Sequence, residues 1–118
     1  MHELAITQNI LEIVLKRAQE AEAKTITDIY LVIGQLSSIV DDAVQFYWGM
    51  IAQDTPAEQA RLHFRRVPAE MACDACGTRF PLAEGLTGCP QCGSHQVRVV
   101  AGEEFFIESI DVDQAEGQ

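Results

Sequence analysis

The sequence predicts an α+β fold: a small three-stranded mixed sheet packed with two helices, plus an inserted four-cysteine zinc ribbon. Three observations carry this expectation. Two stretches repeat apolar residues at the helical period. Three others show the alternation or short apolar run of a strand. Composition then changes sharply at Pro68, where a Cys- and Gly-rich tract with little apolar period begins and continues to about residue 101.

Residues 3–23 predict an amphipathic helix, with Leu4, Leu11, Val14, Leu15 and Ala18 as its buried stripe. Residues 26–34 predict a strand that ends at Gly34. Ile29, Leu31 and Ile33 share one face, Tyr30 and Val32 the other, and two apolar faces imply a central strand. Asp41 or Asp42 is suited to cap a second helix running to about Gln53, with Val44, Tyr47, Trp48 and Ile51 inward. Thr55-Pro56 stops that helix. Residues 61–67 predict a strand with Leu62 and Phe64 inward, and the strand–helix–strand order favours a parallel pairing. After Gly102 the apolar pattern returns at Phe105, Ile107, Ile110 and Val112, a last strand rejoining the sheet, and the tail from Gln114 is expected to fray. The domain expectation follows: residues 1–68, completed by 102–118, form an α/β domain, and residues 69–101 a ribbon inserted between strands.

The chain has 118 residues and a net charge of −10. Such a charge repels phosphate backbones and anionic membranes, so neither nucleic acid nor a membrane is an expected partner. No basic segment and apolar run of a signal peptide opens the sequence, and no stretch is long enough to span a bilayer. The expected location is cytoplasmic, where paired cysteines bind metal more readily than they form disulfides.

Cys73-x-x-Cys76 and Cys89-x-x-Cys92 are separated by twelve residues. Two intervening residues let one turn aim both sulfurs at a point, and two such turns complete a tetrahedral S₄ site. Gly77 and Gly93 follow the two pairs, where a knuckle needs a positive φ. Metal-site preferences favour Zn²⁺ in a closed, structural role. A rubredoxin-like electron carrier, with iron on four cysteines, shares nearly the same knuckles and stays open on spacing. A zinc-ribbon adaptor that docks on proteins is a further alternative. Neither pair opens a helix, as a redox dithiol would.

Met1-His2-Glu3 is the second constellation. Bulky His2 favours retention of Met1, placing an amine, two backbone amides and an imidazole in a row. Ni²⁺ and Cu²⁺ favour such planar nitrogen sets, whereas Zn²⁺ does not. Glu3 can add an axial oxygen or accept the His2 ring N–H. The plainer alternative is a solvated terminal histidine, with Glu3 favouring a helix N-terminus.

Together, four segments make the chain resemble the HypA/HybF family of nickel metallochaperones from Met1 to about Val112. They are the opening Met1-His2-Glu3-Leu4, the strand end Ile33-Gly34-Gln35-Leu36-Ser37, the two Cys-x-x-Cys knuckles, and the ending from Gly102-Glu103-Glu104-Phe105 to Ile110-Asp111-Val112. The resemblance implies a non-enzymatic carrier that binds Ni²⁺ at His2, with Met1 and Glu3 beside it. It implies Zn²⁺ at Cys73, Cys76, Cys89 and Cys92. It also implies delivery to the large-subunit precursor of [NiFe]-hydrogenase, in concert with the GTPase HypB, and in some members a role with urease maturation proteins.

The remaining candidates have plainer readings. Some relatives place an acidic residue near nickel in the region of Asp41 and Asp42, but helix capping is preferred here. His95 fits an exposed turn better than a visiting nickel ligand. His63 is expected to face solvent or a partner, and Trp48 and Phe46 to pack in the core or at its edge. Arg61, Arg65 and Arg66 form the one basic cluster, which offsets acidic surface or contacts a partner.

Overall fold

The structure is a computed structural model that describes residues 2–83 and 87–114, with His2 described by its backbone alone. The order is α1 (His2–Glu20), β1 (Ala23–Gly34), α2 (Asp41–Ile51), β2 (Arg61–Val67), β3 (Glu70–Cys73), β4 (Arg79–Pro81), β5 (Val97–Ala101) and β6 (Phe105–Gln114). The predicted α+β fold, with two helices and a three-stranded mixed sheet, is the one observed. The chain divides into two compact units. One is built from Met1–Leu31, Ile39–Arg65 and Phe106–Gln118, the other from Val32–Ser38 and Arg66–Phe105.

β1 is central in the order β2-β1-β6. Ile26 N–H donates to Pro56 O at 3.0 Å and Gln35 N–H to Val67 O at 2.8 Å, so β2 runs parallel to β1. Gly34 N–H donates to Glu104 O and Leu36 N–H to Gly102 O, each at 2.7 Å, while Thr27 reaches Asp111 O, so β6 runs antiparallel.

In the first unit the core gathers Ile10, Val14 and Ala18 from α1, Ile26, Ile29 and Leu31 from β1, and Val44 and Trp48 from α2. The buried line of α1 is Glu3, Thr7, Ile10, Val14 and Ala18. It is rotated from the predicted stripe: Leu4 is 38% exposed and polar Glu3 lies inside at 8%. The interior accepts these two polar residues because they have partners: the Thr7 hydroxyl donates to the Glu3 carbonyl, and Glu3 Oε2 accepts from Val40 N–H. The helix also ends earlier than residue 23, because Glu22 adopts φ 55°, a left-handed turn that reverses the chain into β1.

The predicted aspartate cap of α2 is corrected. Its N-cap is Val40, without a side-chain cap bond, and Asp41 and Asp42 sit inside the first turn. There their charge still faces the positive end of the helix dipole. Phe46, expected to pack, is instead 66% exposed. Gln114 remains in β6, and the rest of the expected frayed tail lies outside the described residues.

In the second unit, β3, β4 and β5 form a separate sheet in the order β4-β3-β5. Both pairings are antiparallel, with Met71 opposite Phe80 on one side and Val99 on the other. Its interior is small: Cys73, Phe80 and Cys89, with Met71 and Val97 against them. Gly34 belongs to this unit. A Cβ there would lie 2.1 Å from Gly102 O, so only glycine permits the close approach. Among the described residues no helix is long and apolar enough to cross a membrane.

Candidate metal centre

The two knuckles repeat one backbone device. Cys73 N–H donates to Thr78 O and Gly77 N–H to Cys73 O; likewise Cys89 N–H donates to Ser94 O and Gly93 N–H to Cys89 O, at 2.8–2.9 Å. Gly77 and Gly93 have φ of 82° and 79°, as their positions predicted. A Cβ at either would meet nothing within 4 Å, so the backbone angle, not space, selects glycine.

The knuckles bring their four sulfurs together. All four Sγ atoms lie within 4.8 Å of one another. The pairs that join one knuckle to the other are Cys73–Cys92 at 3.6 Å and Cys76–Cys89 at 3.7 Å. A tetrahedron with Zn–S bonds of about 2.3 Å has sulfurs about 3.8 Å apart, so the donor set fits a four-coordinate thiolate metal. Cys73 and Cys89 are buried, and Cys76 and Cys92 are exposed.

The thiols are unequal. The Thr78 hydroxyl, 3.1 Å from Cys76 Sγ, and the Thr78 backbone hold the Cys76 thiol down at about 6. At Cys92 the Ser94 backbone bond lowers the value, but Cys73, burial and the other two sulfurs outweigh it and push the thiol up to about 12. A divalent cation bound by the four sulfurs would hold them together as thiolates. Gln91 N–H and Cys92 N–H point at Cys89 Sγ at 3.3 and 3.5 Å, adding outer support for thiolate charge. Thr78 and the Arg98–Asp74 ion pair at 2.8 Å, bracing the first knuckle, were missed by sequence reasoning. The hydroxyl two residues after Cys76 was the available signal.

Of the N-terminal candidates, Met1 and the His2 side chain lie outside the described residues. The backbone of His2 opens α1, and Glu3 lies in its first turn, buried, with Oε2 3.3 Å from Val40 N. His95 Nδ1 binds Thr87 O at 2.6 Å, which ties the second knuckle loop shut, in keeping with a turn residue. His63 stands half-exposed on β2, its Nε2 2.8 Å from Asp28 Oδ1 and its ring stacked on Tyr30 at 4.6 Å. Arg61 also pairs with Asp28, at 3.2 Å, and Arg65 with Glu108, at 3.4 Å, so these two arginines offset acidic neighbours. The His63 contact, then Thr27 and Arg61, holds the Asp28 carboxyl below its ordinary range.

A mixed three-stranded sheet with two helices and a four-cysteine knuckle pair defines the class: a small metal-binding protein with a ribbon module. The chain belongs to the family described as hydrogenase/urease nickel incorporation, metallochaperone, hypA, whose pattern matches residues 1–112. It is 45% identical over 113 residues to a hydrogenase maturation factor HypA of Dehalococcoides mccartyi, covering 96% of this chain and 95% of that one. The corresponding factor of Geobacter sulfurreducens is 43% identical, covering 96% and 100%. A solution structure of a HypA protein superposes with a TM-score of 0.73 at 21% identity, covering 95% of this chain and 96% of that one. The Ni metallochaperone HypA from Helicobacter pylori superposes with a TM-score of 0.64 at 20% identity, covering 96% and 98%. These two establish likeness of fold. The family is one of metallochaperones and maturation factors, the class expected from the sequence.

Proposed function

We propose that this chain is a cytoplasmic nickel carrier. It binds Ni²⁺ through His2, with the Met1 amine and Glu3 beside it, and delivers the ion to the large-subunit precursor of [NiFe]-hydrogenase together with the GTPase HypB. The α/β domain of residues 1–68 and 102–118 carries the cargo. The inserted ribbon of residues 69–101 holds a structural Zn²⁺ on Cys73, Cys76, Cys89 and Cys92.

One observation carries the nickel reading: α1 begins at His2 within a family match that starts at residue 1. The amides of a first helical turn are not used by the helix's own hydrogen-bond ladder. With the Met1 amine and the His2 imidazole, these amides would supply a planar nitrogen set for Ni²⁺. Release to an acceptor would then proceed by ligand exchange. For the ribbon, the sulfur spacing supports Zn²⁺ over a site with an open position.

Isothermal titration with Ni²⁺ tests the carrier reading. The wild-type chain is expected to show one site, His2→Ala to lose it, and an N-terminal extension to abolish it, whereas a C-terminal tag leaves it intact. Unchanged nickel binding in His2→Ala rejects the site. Because imidazole titrates near pH about 6.5, Ni²⁺ is expected to leave before Zn²⁺ as the pH falls to about 5. Equal retention of both ions there counts against the assignment. Natively purified protein should be colourless with stoichiometric zinc; visible thiolate-to-iron absorption would instead establish the rubredoxin-like reading.

A further inference from the structure

The outward face of α2 carries two large apolar side chains that the fold leaves in solvent. Phe46 and Met50 stand one helical turn apart and are 66% and 55% exposed. The Phe46 ring meets its sequence neighbour Tyr47 edge-on at 5.4 Å. Gly49 lies beside them on the same face, and a Cβ built there would meet nothing within 4 Å. Glycine is among the poorest residues for a helix interior. At this position neither crowding nor a left-handed backbone requires it. Two protruding apolar groups beside a bare stretch of backbone form a knob-and-notch surface.

The charge along this segment bears on which surface would complement it. Asp42 precedes Phe46 by one turn, and Asp54 follows the end of the helix. Residues 36–60 contain four carboxylates, Asp41, Asp42, Asp54 and Glu58, and no Lys, Arg or His. A second copy would set these carboxylates against themselves in a chain of net charge −10. Anionic lipid is repelled in the same way.

We propose that this face of α2 docks a different protein. That partner offers an apolar pocket for Phe46 and Met50, a side chain that enters the notch over Gly49, and a rim of Lys or Arg against Asp42 and Asp54. The inference rests on the delivery reading, which supplies the two proteins to probe: the purified GTPase and the purified large-subunit precursor.

The test titrates each of them with the full-length chain by fluorescence anisotropy and follows nickel binding in parallel. The wild-type chain is expected to bind at least one, and Phe46→Ser/Met50→Ser to weaken that complex by about tenfold or more. Gly49→Ala should raise the Tm of the isolated chain, because alanine is the better helix former, and yet weaken the complex; Gly49→Leu should weaken it further. Asp42→Asn should weaken it several-fold and flatten its salt dependence. Nickel stoichiometry should be unchanged in the Phe46, Met50 and Gly49 variants. Wild-type affinity in the Phe46→Ser/Met50→Ser variant overturns the proposal. So does a wild-type dimer in sedimentation that this variant dissolves, since a second copy then covers the face. Binding to neither protein, with nickel titration intact, overturns the docking surface and leaves the carrier reading standing. Docking that depends on Phe46 and Met50 in a chain that binds no nickel rejects the carrier reading instead.

Discussion

Glu3 Oε2 accepts a hydrogen bond from the Val40 backbone N–H at 3.3 Å, so the first turn of one helix supplies an acceptor at the start of the other. Val40 is the N-cap of α2 and makes no side-chain cap of its own. A buried carboxylate beside the proposed nickel ligands thus also stands at the positive end of a helix dipole.

Glu3→Ala is therefore expected to lower the thermal midpoint by a few degrees and to fray the start of α2. Glu3→Gln should fall between the two, because its amide oxygen still accepts the Val40 N–H. Thermal melts by circular dichroism, with amide exchange at residues 40–44, check this. Wild-type stability in Glu3→Ala would mean the contact contributes nothing.

The Asp28 carboxyl is depressed by His63, Thr27 and Arg61. A carboxyl whose folded pKa lies below its unfolded value of about 3.9 stabilises the fold fully above that value and loses the contribution as pH falls through the folded pKa. The stability difference between wild type and Asp28→Asn should shrink as the pH falls below about 4. Urea titrations across that range measure it. A difference that grows below that pH would reverse the assigned sign.

Chelating the thiolate-bound ion should unfold the ribbon. The interior around Cys73, Phe80 and Cys89 is too small to offset the chain entropy of the tract. Ion binding to comparable small modules supplies on the order of 10 kcal/mol. Trp48, the sole tryptophan and 2% exposed, reports on the other unit, and its emission should hardly move. Amide spectra that keep their dispersion over residues 70–101 after metal removal would remove the structural role from the four cysteines.

Gly34→Ala should destabilise the chain by about 1–3 kcal/mol. Its Cβ would fall 2.1 Å from Gly102 O and 2.7 Å from Glu104 N, both backbone atoms that cannot rotate aside. Denaturant midpoints settle the magnitude, and an unchanged midpoint would show that the strand end yields easily.

Much of this was legible in the chain because the signals are local. Knuckle glycines, cysteine spacing and the two apolar faces of Ile29–Ile33 each follow from a few adjacent residues, and they yielded the S₄ centre and the central strand. The buried face of α1 was not legible. Apolar period favours Leu4, whereas the interior takes Glu3 and Thr7; the Glu3 carboxylate finds its partner only after α2 arrives. Aspartate is a favoured cap, but the chain enters α2 one residue earlier, at Val40.

By itself, then, the sequence determined the α+β class, the central strand, the paired knuckles and the family, since period, spacing and motif order are properties of neighbouring residues. Only the tertiary structure decided that one carboxylate of Met1-His2-Glu3 meets the second helix, and that Phe46 and Met50 face outward beside the open surface of Gly49. Those facts depend on how each helix is rotated against its neighbours, and that rotation is settled by packing between residues far apart in the chain.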